Sequence, residues 1–236
     1  MKFFIKFLIF YFMVINVQAI DNITSQAEIE KIIKKYLLEN PEILIESLEK
    51  YRSNQEAKFE EKQRSHIEAY YKNKKYENFP HTGNISGSII ITEFIDYNCS
   101  YCKKTLIIIN KLLKKYKNIK VVFIDFPILS ETSYSAAKAA IAAHRQNAYF
   151  SYHTALLDSK KKISNEYLID LADSLNLDLK KFKKDMNSEK TAKIIEDNIE
   201  FAKGLNVRGT PTFIINKKLY PGAYDMKKLE EIIKKI

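Results

Sequence analysis

Sulfur is scarce in this chain: its 236 residues include two cysteines, Cys99 and Cys102. So close in sequence, they cannot staple distant segments, which excludes a structural disulfide framework and leaves them a chemical value. Histidine is sparse as well, the four being His66, His81, His144 and His153. None lies near another or near the cysteines, so the tetrahedral ligand set that zinc requires is not expected, and no metal site is assigned. Beyond the N-terminal residues no long apolar run recurs, which leaves the remainder without a membrane-spanning helix. There is no internal repeat and no low-complexity tract beyond the richness in lysine. Acidic residues are outnumbered, 29 against 39 Lys and Arg. That balance invites a nucleic-acid reading, but runs such as Lys160-Lys161-Lys162 and Lys180-Lys181-Phe182-Lys183-Lys184 read better as solvated helix faces.

The chain begins Met1-Lys2-Phe3-Phe4-Ile5-Lys6, continues through an apolar core Phe7–Ile15, and reaches Val17-Gln18-Ala19. Charged, apolar and small residues in that order predict a secretory signal over 1–19, cleaved after Ala19. The core falls short of the roughly 20 residues that a spanning helix needs. Export puts the mature chain in an oxidising compartment, the periplasm, and makes nucleic acid a still poorer partner. No cysteine follows Ala19 directly, which argues against a lipidated N-terminus.

Residues 20–79 read as a helical arm. Ser25 and Glu28 form a capping box, and Ile29, Ile32, Ile33, Tyr36 and Leu37 make one apolar stripe. Asn40-Pro41 restarts the helix, with Asn40 as the cap, and Leu44, Ile45, Leu48 and Tyr51 extend the stripe. From Arg52 to His66 the pattern is polar, as in a solvated stalk. Such an arm cannot cover its own apolar face, which must pack on the main domain or on another copy, and of the two self-association into a homo-oligomer is expected. Phe79-Pro80 and Gly83–Gly87 mark a boundary, giving a second domain over 80–236.

In that domain Ser88–Ile95 is β-branched and apolar, while Leu106, Ile109, Leu113 and Tyr116 follow at helical spacing. Cys99 and Cys102 therefore sit where a buried strand turns into a helix. Unpaired N–H groups and the positive end of the helix dipole favour a thiolate there. Lys120–Phe126 reads as a second buried strand, ended by Pro127. Helices are expected over Ser133–Asn147 and after Ser164, Asp178 and Ser188, the last ending near Gly204. Val207–Asn216 reads as a strand, Lys217-Lys218 as a turn, and Asp225 as the cap of a final helix. Proline at the strand entrance Thr210-Pro211 suits a cis peptide bond.

The Phe94-Ile95-Asp96-Tyr97-Asn98-Cys99-Ser100-Tyr101-Cys102-Lys103 run, Asp125-Phe126-Pro127-Ile128-Leu129 and Gly209-Thr210-Pro211-Thr212-Phe213 together resemble the DsbA-like thiol–disulfide oxidoreductases. The resemblance covers roughly Thr82–Ile236. It implies an α/β thioredoxin fold carrying an inserted helical subdomain at about 128–204. The arm is similar to the N-terminal oligomerising segment of ScsC-type and Com1-like members. Carried onto this sequence, the resemblance makes Cys99 the exposed nucleophile and Cys102 the buried resolving cysteine. Pro211 becomes a cis-proline facing the disulfide, and Thr210 offers backbone groups to an extended substrate. Glu93 becomes a carboxylate beneath the site that exchanges a proton with Cys102. The implied function is disulfide formation or isomerisation in exported proteins, with a membrane redox partner and no cofactor beyond the Cys99–Cys102 disulfide.

Two positions depart from the family pattern. Ser100 replaces a common proline, and the apolar Ile124 stands where a basic residue is frequent, leaving desolvation to raise the Glu93 pKa. Other readings stay open. Copper-linked members of the family suggest Cu(I) held by the thiolate pair, or a reductant-type thiol protein. A chaperone or scaffold in which only the arm matters is a third class. His153 is expected to be a packing residue and Asp125 a strand-end surface carboxylate.

Overall fold

The computed structural model describes residues 25–74 and 79–236. The expected signal over 1–19 lies outside them. The chain divides into two compact units at Ala57/Lys58.

The first unit is helical. Helix α1 covers Gln26–Glu39, and the Ser25–Glu28 capping box is formed in both directions. Helix α2 starts at Pro41 and runs to Asn73, beyond the unit. Asn40 does a different job from the one its position suggests. Its side-chain amide donates to the Tyr36 carbonyl at 2.8 Å, closing the end of α1. No residue of α1 is buried, and Ile32, Leu38, Ile45 and Tyr51 are among its exposed large apolar residues and those of early α2.

The second unit begins within α2. The polar stretch expected over Arg52–His66 gives way directly to a docked end, where Ile67 and Tyr71 are buried. Tyr70 stacks on Phe201 with ring centroids 3.6 Å apart, the Tyr71 hydroxyl meets Thr92 Oγ1 at 2.7 Å, and Gln63 Nε2 donates to the Leu205 carbonyl. Glycine is required at 204, where a Cβ would collide with the His66 ring.

Five strands form one sheet in the order β1-β3-β2-β4-β5. They are β1 (His81–Gly83), β2 (Ile89–Ile95), β3 (Ile119–Asp125), β4 (Thr212–Ile215) and β5 (Lys218–Pro221). Strands β2 and β3 are parallel, and the other pairs are antiparallel. The remaining helices are α3 (Ser100–Lys115), α4 (Glu131–His144), α5 (Tyr149–Asp158), α6 (Asn165–Ser174), α7 (Leu179–Met186), α8 (Glu189–Gly204) and α9 (Met226–Ile233). Alternation along β2 and β3 splits the core into two layers. Ile91, Ile95, Val121 and Phe123 face a cluster shared with α3, α5 and α9. Phe94, Val122, Ile124 and Phe126 face another, shared with the end of α2 and with α8.

Ser164, Asp178, Ser188 and Asp225 cap their helices by accepting a backbone N–H in the first turn. Helix α4 starts earlier than expected because Ser130 caps it. Helix α8 ends at Gly204, as expected, and the left-handed residue that follows is Asn206, since asparagine tolerates that conformation through its short polar side chain. The hairpin turn falls on Asn216-Lys217, both with positive φ, and Lys218 already pairs with Ile215 in β5. The strand expected from Val207 is ordered as β only from Thr212.

Candidate active site

Topology brings three strand ends together. Strands β2 and β3 run parallel and finish side by side, with Ile95 opposite Asp125. Strand β4 is antiparallel to β2, with Thr212 opposite Phe94, so its entrance lies beside the exit of β2. The two cysteines follow β2, and Thr210-Pro211 precedes β4 in the cis form.

Cys99 is the N-cap residue of α3 and Cys102 lies in its first turn. Both are free thiols. Cys99 is less open than expected, with 6% of its surface exposed against none for Cys102. Its cover includes the Thr210 carbonyl, which accepts from the Cys99 thiol at 3.1 Å. The two sulfurs are held at opposite ends of the protonation scale. The Cys102 thiol, the Thr210 side chain and the Tyr101 and Cys102 backbone N–H groups favour the Cys99 anion and lower its pKa to about 5, against the cost of burial. Cys102 is pushed far up, first because it serves as that donor, then by burial and by the Glu93 charge. An anion on one sulfur is thus sustained by a proton on the other. The Thr210 Oγ1 is buried without a hydrogen-bond partner, a hydroxyl available to a thiolate.

Glu93 is 2% exposed. Burial, and then the Cys99 charge, raise its pKa to about 8. Desolvation is the first cause, as expected, but Ile124 is not the reason: it belongs to the opposite core layer, so a side chain at that position faces away from Glu93. The structure therefore places all five sequence-derived residues, Glu93, Cys99, Cys102, Thr210 and Pro211, around the joined ends of β2 and β4.

Asp96 was not singled out by the sequence reading. Its Oδ2 accepts from the backbone N–H groups of Ile128 and Leu129 at 2.8 and 3.0 Å. Its Oδ1 accepts from Asn98 N and Ser133 Oγ. Asn98 in turn reaches Ser130, Thr132 and Ser133. This set ties the cysteine loop to the start of α4. An Asp two residues before an Asn in a loop is the available signal, since such carboxylates fold back on nearby backbone.

Asp125 needs correction. It is fully buried rather than at the surface, with Tyr149 donating to Oδ1 at 3.0 Å. Burial raises its pKa to about 7 against the hydrogen bonds of Tyr149 and Tyr97. His153 is a packing residue, as expected. Its ring lies 4.5 Å from that of Phe123, and burial lowers its pKa to about 3, which keeps it neutral. Among the described residues no group of three or more His, Cys, Asp and Glu side chains could hold a metal ion.

Known proteins share this arrangement. The family described as Thioredoxin matches residues 74–235, and the copper resistance protein ScsC N-terminal domain matches residues 26–58. The thiol–disulfide exchange protein alpha-DsbA2 of Wolbachia pipientis is 31% identical, with 75% of this chain and 96% of that one covered and a TM-score of 0.67. Proteus mirabilis ScsC in a compact conformation is 26% identical, with 89% and 97% covered and a TM-score of 0.64. The Na(+)/H(+) antiporter NhaA 1 of Salinispora arenicola is 29% identical over 147 residues, 61% of this chain. The chain spans about a fifth of the length of that curated relative, 22%. With a match over well more than half of its length, the chain belongs to the thioredoxin family, in the branch of the DsbA-like thiol–disulfide oxidoreductases, and its N-terminal segment is of the ScsC type.

Proposed function

We propose that this protein exchanges disulfides with cysteine-containing exported proteins through Cys99 and Cys102. The observation that carries the reading is the Cys99 sulfur at the start of α3, 3.1 Å from the Thr210 carbonyl that precedes the cis-proline. A substrate strand running past Thr210 finds backbone groups to pair with and is delivered to that sulfur.

In the oxidising direction a substrate thiolate attacks the Cys99 sulfur of the Cys99–Cys102 disulfide. The S–S bond breaks, its electron pair goes to Cys102, and a proton taken from Glu93 makes the Cys102 thiol. A second substrate thiolate then attacks the substrate sulfur of the mixed disulfide. The new substrate disulfide forms, and Cys99 leaves as a thiolate. A leaving thiolate with a pKa of about 5 departs readily. Stabilising the reduced form in this way makes the disulfide more oxidising than that of thioredoxin, where the thiolate is less favoured. In isomerisation the reduced Cys99 attacks a wrong disulfide instead, and Glu93 receives the Cys102 proton when Cys102 resolves the adduct.

The companion reading concerns the arm. Its exposed stripe, including Ile29, Ile33, Tyr36, Leu44, Leu48 and Tyr51, supports assembly of copies through this segment. The periplasm, with a membrane partner that resets the disulfide, is the setting we infer. Among the described residues no helix is long and apolar enough to cross a membrane.

Reoxidation of reduced ribonuclease, set against rescue of scrambled ribonuclease, separates oxidase from isomerase. Alkylation of reduced Cys99 should reach half its maximal rate near pH 5; half-reactivity at the free-cysteine value of about 8.5 would refute the thiolate mechanism. The match of residues 26–58 to a copper resistance protein's N-terminal domain favours one further reading, Cu(I) held between the two sulfurs. Competition for Cu(I) against a colorimetric chelator, lost in Cys99→Ser, is its expected result.

A further inference from the structure

Behind the cysteine loop lies a polar chain that the exchange cycle above does not use. Tyr149 donates to Asp125 Oδ1 at 3.0 Å, the Tyr97 and Tyr149 hydroxyls are 3.3 Å apart, and the Tyr97 hydroxyl is 3.2 Å from His153 Nδ1. All four residues are buried. Asp125 Oδ2 has no hydrogen-bond partner, an unusual state for a buried carboxylate.

Each link can run in either direction. With Asp125 ionised, His153 Nδ1–H donates to Tyr97, Tyr97 to Tyr149, and Tyr149 to the carboxylate. With Asp125 protonated on Oδ1, the acid donates to Tyr149, Tyr149 to Tyr97, and Tyr97 to a bare His153 Nδ1, the ring proton then sitting on Nε2. The second state holds one proton more than the first, and every inner link is satisfied in both. Gaining or losing that proton therefore reverses the Tyr149 O–H dipole.

Tyr149 also lies within the field of Glu93. Glu93 and Asp125 point to the same side of the sheet, because each shares the parity of Ile91, Ile95, Val121 and Phe123. They stand two registers apart on neighbouring strands, Glu93 opposite Phe123 and Asp125 opposite Ile95. Strand spacing and rise put their Cα atoms about 8 Å apart. The Tyr149 ring stacks at 5.6 Å on Phe123, the residue paired with Glu93.

We propose that Asp125 is a positioning residue for the resolving step: acting through Tyr149, it sets how readily Glu93 takes the proton that Cys102 gives up. This rests on the proposed role of Glu93. When Asp125 is neutral, Tyr149 turns its proton toward Tyr97 and away from Asp125. When Asp125 ionises, the phenol turns back, and a negative charge joins the same dry layer as Glu93. That charge makes a second anion on Glu93 costlier, so Glu93 holds its proton to higher pH. Further groups face this chain. Asp96 acts on Asp125 from the cysteine loop, the Asn198 amide on α8 donates to the Asp125 main-chain oxygen, and His144 on α4 meets the Tyr149 ring edge-on. None of them joins Asp125 to Glu93.

The test is the pH profile for resolution of a Cys99 mixed disulfide with a small aromatic thiol, followed in single turnover by thiol release. Asp125→Asn, Tyr149→Phe and Glu93→Gln are compared with the parent in the full-length protein. Asp125→Asn, neutral at every pH, should move the Glu93-controlled inflection to lower pH by at least about 0.3 units, a twofold change in proton affinity. Tyr149→Phe removes the hydrogen bond that favours the Asp125 anion, so Asp125 keeps its proton to higher pH and the inflection should move to lower pH as well. If Asp125→Asn does not fold, Tyr149→Phe decides alone. Profiles that scale in rate but keep the parent inflection would overturn the proposal and leave Asp125 a purely structural group. A profile that Glu93→Gln also leaves unmoved would remove the Glu93 reading itself, and this proposal with it.

Discussion

Helix α2 is one continuous element with two fates. In its first turns Leu44, Ile45, Leu48 and Tyr51 lie open to solvent. Toward its end Ile67 and Tyr71 are buried. The two halves carry similar apolar side chains on a common helical repeat, so hydrophobicity does not separate them. What separates them is the surface opposite. The later half meets Phe201, Phe79 and Ala202 in a closed aromatic layer, and Gly204 lets the His66 ring approach. Apolar residues on a helix state a demand for cover, and only a partner element decides whether the demand is met within the chain.

The proposed function gives chemistry to one unit and assembly to the other, and its sharpest test is at the sulfur. Cys99→Ser should abolish disulfide exchange with ribonuclease while leaving the oligomeric state, read by light scattering, unchanged. Residual exchange would move the chemistry elsewhere. The converse is the double change Ile29→Glu and Ile33→Glu. It should convert an assembly into monomers and leave exchange with a small thiol substrate within about twofold, since Ile29 and Ile33 belong to the other compact unit. Loss of small-substrate exchange would mean that the units do not divide the work.

A smaller effect sharpens the contrast along α2. Ile67→Ala should destabilise the second unit by about 2–4 kcal/mol through the cavity it opens. Ile45→Ala, at an exposed position, should change that unit's unfolding free energy in urea by no more than about 0.5 kcal/mol. Equal effects would show that both halves are covered alike.

A pH-dependent effect comes from the buried acids. Both have folded-state pKa values raised by burial, Glu93 to about 8 and Asp125 to about 7. Between about pH 4 and those values the native state holds protons that the unfolded chain has released, so stability falls as pH rises across that window. Asp125→Asn escapes its share. Its urea stability relative to the parent should improve from pH 4 to pH 8, by about 1.4 kcal/mol for each unit by which folding raises the Asp125 pKa. A difference independent of pH would show that Asp125 does not titrate in that range.

Much of this was legible before any coordinates. The serine and aspartate caps at Ser25, Ser164, Asp178, Ser188 and Asp225 mark real helix starts, because capping is satisfied by residues three apart. The cysteine pair at a strand-to-helix junction and the cis Thr210-Pro211 linkage stand where the pattern puts them. Turn positions were harder. The helix end near Gly204 stands as expected, but the left-handed residue there is Asn206, and the turn expected at Lys217-Lys218 falls one residue earlier, on Asn216-Lys217. Asparagine competes for such sites through its side chain, a weaker signal than glycine's missing Cβ.

The sequence alone therefore fixed the local chemistry: a sulfur at a helix start, a proline at a strand entrance, an acid set in an apolar run. These depend on neighbours a few residues away. Tertiary structure decided the burial of Asp125, the docking of Ile67 and Tyr71, and the meeting of Cys99 with Thr210. The partners in those contacts lie tens of residues away or more, and sheet register brings them together. Whether a carboxyl at a strand end meets water or a tyrosine hydroxyl depends on where α5 lands, and no local pattern around Asp125 carries that information.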